Sequence, residues 1–293
     1  MVGEYQGSVL REGLYFGECP RWHDGRLWYS DFYGHTVHAL TPGGADERVV
    51  EVAGQPAGLG WMPDGSLLIV SMLDRRVLRL DPDGSVREHA ALGEWATFHC
   101  NDMVVDAAGR AYVGNFGFDI FALRSGETAV QPRSTVLIRV DPDGQVSVAA
   151  DDLEFPNGTV ITPDGGTLIV AETMARRLTA FDVSADGALA NRRVWADLKS
   201  DEIAPDGICL DASGAVWAAN AAGPTAVRIA EGGELLDTAR FSQTCFACML
   251  GGPDGRELFA VTAPPTIMPA EVSAAPRGRI ESARVGVGHA GLP

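Results

Sequence analysis

A tight turn followed by an apolar strand recurs six times along this chain, at intervals of roughly forty to fifty-five residues, and no other feature limits the fold as severely. The turns are His23-Asp24-Gly25, Pro63-Asp64-Gly65, Ala107-Ala108-Gly109, Pro163-Asp164-Gly165, Ala212-Ser213-Gly214 and Pro253-Asp254-Gly255. Proline presets φ in such turns and glycine accepts the positive φ that other residues resist. Strands are predicted after them at residues 26–30, 66–71, 111–115, 167–171, 215–220 and 257–262. Third strands follow at 36–40, 77–80, 136–140, 178–181, 226–229 and 279–283, and more polar outer strands at 47–52, 86–90, 146–149, 192–195 and 235–241. Two of the third strands run into a second Asp-Pro-Asp-Gly turn, at 81–84 and 141–144, which reads as a plain hairpin because the other acidic residues of a calcium loop are missing. The pattern predicts an all-β chain, a six-bladed β-propeller of four-stranded blades forming one domain over 1–293.

The sixth unit has no outer strand of its own. Residues 7–12 form a strand ahead of the first unit, and pairing it onto the last blade closes the ring and removes exposed edges. Two insertions, 116–134 and 264–276, separate second from third strands and read as loops over one face, able to serve as lids. Phe116, Phe118 and Phe121 in the first of them are candidates for lining an apolar pocket above the axis.

Composition removes several function classes. With 46% hydrophobic and 21% charged residues the chain is globular rather than disordered. A formal net charge of −16 argues against nucleic-acid or anionic-membrane partners, which need clustered Lys and Arg. The first residues carry no basic segment followed by an apolar one, and no apolar run is of membrane-spanning length, so a cytoplasmic location is expected. Five cysteines, including Cys245-Phe-Ala-Cys248, fall mostly inside apolar strands and read as buried thiols. There is no Gly-x-Ser-x-Gly elbow, His-Glu-x-x-His helix, phosphate-binding loop or dinucleotide fingerprint.

Aligning the repeats on the turn glycine and reading back to the start of each innermost strand gives Glu18, Ala57, Asn101, Asn157, Asp206 and, approximately, Ala247. In a propeller these positions converge on the central channel at one face. Four are oxygen donors and two of those are anionic, which suits a hard divalent cation such as Ca²⁺, Mg²⁺ or Mn²⁺.

Glu18-Cys19-Pro20 before a Trp-bearing strand, His99-Cys100-Asn101-Asp102, Phe155-Pro156-Asn157-Gly158 and Ala204-Pro205-Asp206-Gly207 resemble, in order, the signature segments of the SMP-30/gluconolactonase/LRE family of regucalcin and bacterial sugar lactonases. The likeness covers nearly the whole chain. It implies a six-bladed propeller with one divalent metal held by Glu18, Asn157 and Asp206. Asn101 would be a further ligand or a substrate contact, and Asp206 a candidate general base. Calcium is the first choice of ion, with magnesium, manganese or zinc as alternatives. The implied chemistry is hydrolysis of a small-molecule lactone or ester by a metal-activated water. Alternatives on the same site are an organophosphate triesterase, a lyase or cyclase, or a non-catalytic metal- or ligand-binding propeller. His99 stands where regucalcin-like members carry an arginine, so it is a candidate for substrate binding or proton transfer. Asp119 stands where those members place a glutamate that contacts sugar hydroxyls. With Phe116 and Phe118 it completes the expected substrate contacts.

Overall fold

The computed structural model describes residues 2–41 and 43–291. Every one of the six turn glycines has positive φ, from 71° to 85°, as the turn chemistry requires. Antiparallel hairpins spring from these turns and build six sheets, each reading outward from an innermost strand. The first blade runs Gly17–His23, Arg26–Asp31, Thr36–Leu40, Asp46–Glu51. The innermost strands of the next five are Pro56–Trp61, Cys100–Val105, Pro156–Ile161, Pro205–Leu210 and Thr244–Gly251. Each packs against the next, and the sixth returns to the first. The result is a six-bladed β-propeller, as the repeat predicts.

Both faces of the second strands are covered by neighbouring blades, which is why their middle residues are apolar on both sides rather than alternating: Leu67–Ser71 is buried at every position. Ring closure also follows expectation. Ser8–Leu14 pairs antiparallel with Gly278–Arg284 and supplies the sixth blade's outer strand. One strand was not foreseen: Gly3–Gln6 adds itself in parallel to Leu235–Arg240 at the edge of the fifth blade. Its pairing depends on which edge lies near the chain start, and nothing local in its sequence encodes that.

The two insertions lie where expected but are not wholly irregular. They contain short helices, α1 (Ile120–Arg124) and α2 (Pro269–Val272). The second Asp-Pro-Asp-Gly turns are hairpins, with Gly84 N–H donating to Asp81 O and Gly144 N–H to Asp141 O. Among the described residues no helix is long and apolar enough to cross a membrane, and all five cysteines are buried and free.

Candidate metal and substrate site

A β-bulge interrupts every innermost strand near its start. The ladder skips between Glu18 and Arg21, Pro56 and Leu59, Cys100 and Met103, Pro156 and Thr159, Pro205 and Ile208, and Cys245 and Ala247. A bulge leaves residues unpaired and re-aims their side chains. The residues so released in the third, fourth and fifth blades include Asn101, Asn157 and Asp206, and Glu18 is the ladder residue at which the first blade's bulge begins. In the sixth blade the released residue is Phe246. Alignment on the turn glycine points to its neighbour Ala247, because the Thr244–Gly251 strand is longer than the others and shifts the count.

Backbone crowding fixes this geometry. A Cβ at Gly158 would sit 2.5 Å from the carbonyl oxygen of Asp206, and one at Gly207 2.5 Å from the Cβ of Ala247. The Pro-x-Gly pattern around Asn157 and Asp206 therefore lets adjacent innermost strands close on the axis, and brings the two x residues together.

Glu18, Asn101, Asn157 and Asp206 line the floor of one cavity of about 700 Å³, and none is more than 6% exposed. Asn101 Nδ2 donates to Asn157 Oδ1 at 2.9 Å, and Asn157 Nδ2 donates to Thr173 Oγ1 at 3.2 Å. Both amide oxygens keep lone pairs to spare. Glu18 accepts from the Cys19 N–H at 3.0 Å. Asp206 Oδ1 is buried with no hydrogen-bond partner. Burial pushes the Glu18 carboxyl up to about 8; the Cys19 N–H opposes this, the charge of Asp102 adds to it and Arg21 opposes it. Burial, then Glu18 and Asp102, hold the Asp206 carboxyl well above the usual carboxylate range, with the neighbouring Asn157 amide opposing them.

Carboxylates this deep are stable as anions only beside positive charge. Among the described residues no group of three or more His, Cys, Asp or Glu side chains could hold a metal, so the candidate set is two carboxylates completed by two amides. Oxygen donors alone, two of them anionic and one with a buried oxygen unclaimed, fit a hard divalent cation.

A buried ion pair absent from the sequence reading lies beside this floor. Arg21, from the first blade, reaches Asp102 of the third at 2.5 Å and donates also to the Met103 and Pro20 carbonyl oxygens. It ties together the two strands that carry Glu18 and Asn101. The available signal was an arginine and an aspartate inside otherwise apolar strands, each within three residues of a channel residue.

Of the expected substrate contacts, Phe116 and Asn101 line the cavity, whereas His99, Phe118 and Asp119 do not. The His99 ring stacks on Phe98 with centroids 4.0 Å apart and packs near Phe121 and Phe116, so it backs the aromatic wall. Its Nδ1 is buried and unpartnered, and burial lowers its pKa, favouring the neutral ring. Phe118 packs edge-on against Phe155, 6.0 Å between centroids. Asp119 caps α1, accepting from the Phe121 and Ala122 N–H groups.

Fold and site together define a six-bladed propeller with an oxygen-donor centre on its axis. The chain belongs to the SMP-30/Gluconolactonase/LRE-like family, whose characteristic region matches residues 16–264. It is 30% identical over 264 residues to the pentonolactonase XacC of Haloferax volcanii, covering 87% of this chain and 84% of that one. The 6-deoxy-6-sulfogluconolactonase of Pseudomonas putida is 25% identical over 268 residues, covering 88% and 87%. Among solved structures, the calcium-binding protein regucalcin from Agrobacterium tumefaciens superposes with a TM-score of 0.81 at 21% identity, over 100% of this chain and 99% of that one.

Proposed function

We propose that this chain hydrolyses a lactone. The observation that carries the reading is the convergence of Glu18, Asn101, Asn157 and Asp206, from four blades, on the buried floor of one open cavity. Relatives whose names denote lactonases support it. Glu18, Asn157 and Asp206 would hold one divalent cation, with Asn101 as a further ligand or substrate contact. Calcium is favoured by the oxygen-only donor set. When bound, such a cation polarises an ester carbonyl and lowers the pKa of water.

The chain's own residues supply the rest. Asp206 Oδ1, free of hydrogen bonds, is the atom suited to take a proton from the attacking water. The Asn101–Asn157 hydrogen bond fixes the orientation of both amides, and the Arg21–Asp102 pair ties the strand that carries Glu18 to the strand that carries Asn101. Aromatic side chains around the floor exclude bulk water, which strengthens every electrostatic contact there.

The test is a pH-stat assay over a panel of lactones and esters, with and without EDTA, alongside elemental analysis of the purified protein. Turnover abolished by chelation, restored by added calcium and lost in Asp206→Ala supports the reading. A metal-replete protein that turns over no lactone, or one indifferent to EDTA, overturns it.

A further inference from the structure

The cavity above the donor floor is walled by aromatic rings from opposite sides of the ring of blades. Phe16 and Phe246 pack at 4.7 Å between centroids on the first and sixth blades, with Phe32 beside them at 5.8 Å. Phe116 and Phe155 stack at 4.7 Å and 15° on the third and fourth. Ile120 of α1 and Ile267 of the second insertion also line the cavity, so both insertions contribute apolar surface.

Hydrogen-bonding capacity at this depth is scarce. Besides the four floor residues, the hydroxyl-bearing lining residues are Tyr33, Thr173 and Thr266. Thr173 Oγ1 is already committed, donating to the Pro205 carbonyl at 2.7 Å and accepting from Asn157. Thr266 Oγ1 accepts the Met268 N–H at 3.2 Å. Arg124 and Arg176 line the cavity but are exposed, so they reach only the outer end of a bound molecule. Asp119, the expected acceptor for sugar hydroxyls, does not line the cavity and turns its Oδ1 to the cap of α1.

From these walls we infer that the substrate is a lactone or ester with an apolar, aryl or alkyl body rather than a polyhydroxylated sugar lactone. The inference rests on the hydrolase reading for the reacting group and on the cavity wall for the body. A sugar lactone would carry several hydroxyls into a space where the lining hydroxyls still free to donate are those of Tyr33 and Thr266. Each stranded hydroxyl costs on the order of tenfold to a hundredfold in binding. An aryl or alkyl body would gain on the order of tenfold per buried methylene.

Two measurements test it separately from the chemistry. In the calcium-loaded enzyme, kcat/KM for dihydrocoumarin and δ-nonalactone is expected to exceed that for δ-gluconolactone by about a hundredfold or more. Equal or better turnover of gluconolactone overturns the inference. If no lactone is turned over the hydrolase reading fails, and binding still decides this one. Calorimetric titration with the non-hydrolysable lactams 3,4-dihydro-2-quinolone and gluconolactam is expected to register the first as the tighter ligand. Tighter gluconolactam, or no binding of the quinolone, overturns it. Phe155→Asn is expected to narrow the preference for the apolar member of each pair; an unchanged ratio in a folded variant counts against the wall as the determinant.

Discussion

At the residue scale the site turns on two carboxylates kept away from water. Asp206→Asn preserves shape while removing one carboxylate and, with it, the proposed proton acceptor. We expect kcat on the best lactone to fall by on the order of a thousandfold or more and calcium affinity to weaken, with the fold retained by circular dichroism. Glu18 makes the pH behaviour predictable. In the metal-free protein burial disfavours the anion and pushes its carboxyl up to about 8, above the range of the unfolded chain. Between those two values the folded protein holds a proton that the unfolded chain has lost, so stability declines as pH rises through the window. A divalent cation held as proposed needs the anion and would gain affinity in the same direction. The metal-free Tm is therefore expected to drop between about pH 5 and about pH 8, and added calcium to recover most at the alkaline end. Glu18→Gln should make that slope shallower, leaving the part that Asp206, also held above the usual carboxylate range by burial, contributes. A wild-type slope identical to that of Glu18→Gln would show that Glu18 is not its source.

Blades and bulges form the next scale up, and two glycines separate their roles. At Gly158→Ala the new Cβ meets the Asp206 carbonyl oxygen and the Ile208 nitrogen, both backbone atoms at 2.5 Å. The neighbouring innermost strand must move, at a cost of about 1–3 kcal/mol. That lowers Tm by several degrees, and it spreads Asn157 from Asp206, so calcium affinity should fall with stability. Gly165→Ala lies in the turn of the same blade, at φ 71° with open space around it. It should cost about 1 kcal/mol and leave calcium affinity unchanged, as thermal melts and calcium titrations of both variants can establish. The contrast also explains what could be read before the structure. Turn glycines and channel residues repeat at fixed local spacing, so the blades and the Glu18, Asn101, Asn157, Asp206 set were legible. Arg21 and Asp102 meet across the axis and belong to no period. Phe246 was missed because one strand is longer than its counterparts. The five residues of α1 are too few for a helical pattern to stand out, and with α1 went the capping role of Asp119.

The whole molecule is a ring, and both ends of the chain fasten it near the fifth blade. Gly3–Gln6 pairs with that blade's outer strand and Tyr5 packs against Trp217, 6.2 Å between ring centroids. At the other end the backbones of Asp211 and His289 form an isolated antiparallel β-bridge, the Ala290 N–H donates to the Leu210 carbonyl, and the Gly286 N–H donates to the Tyr5 hydroxyl. Closure itself depends on Ser8–Leu14. It covers the edge of Gly278–Arg284 and sinks Leu14 into the core, 3% exposed, in a cluster with Val261 and Ile280. Two truncations of the full chain distinguish fastening from closure. Removing residues 2–6 strips one peripheral strand from an otherwise complete blade; Tm should fall modestly while calcium binding and cooperative unfolding persist. Removing residues 2–14 leaves the sixth blade with three strands and an open edge, and frees the segment leading into Glu18 four residues later. Because each innermost strand packs on two neighbours, that opening propagates to the axis. The longer truncation should elute as an aggregate or expanded species, melt without a sharp transition and bind no calcium. A compact monomer that still binds calcium after the longer truncation would mean that inner-strand packing alone holds the ring.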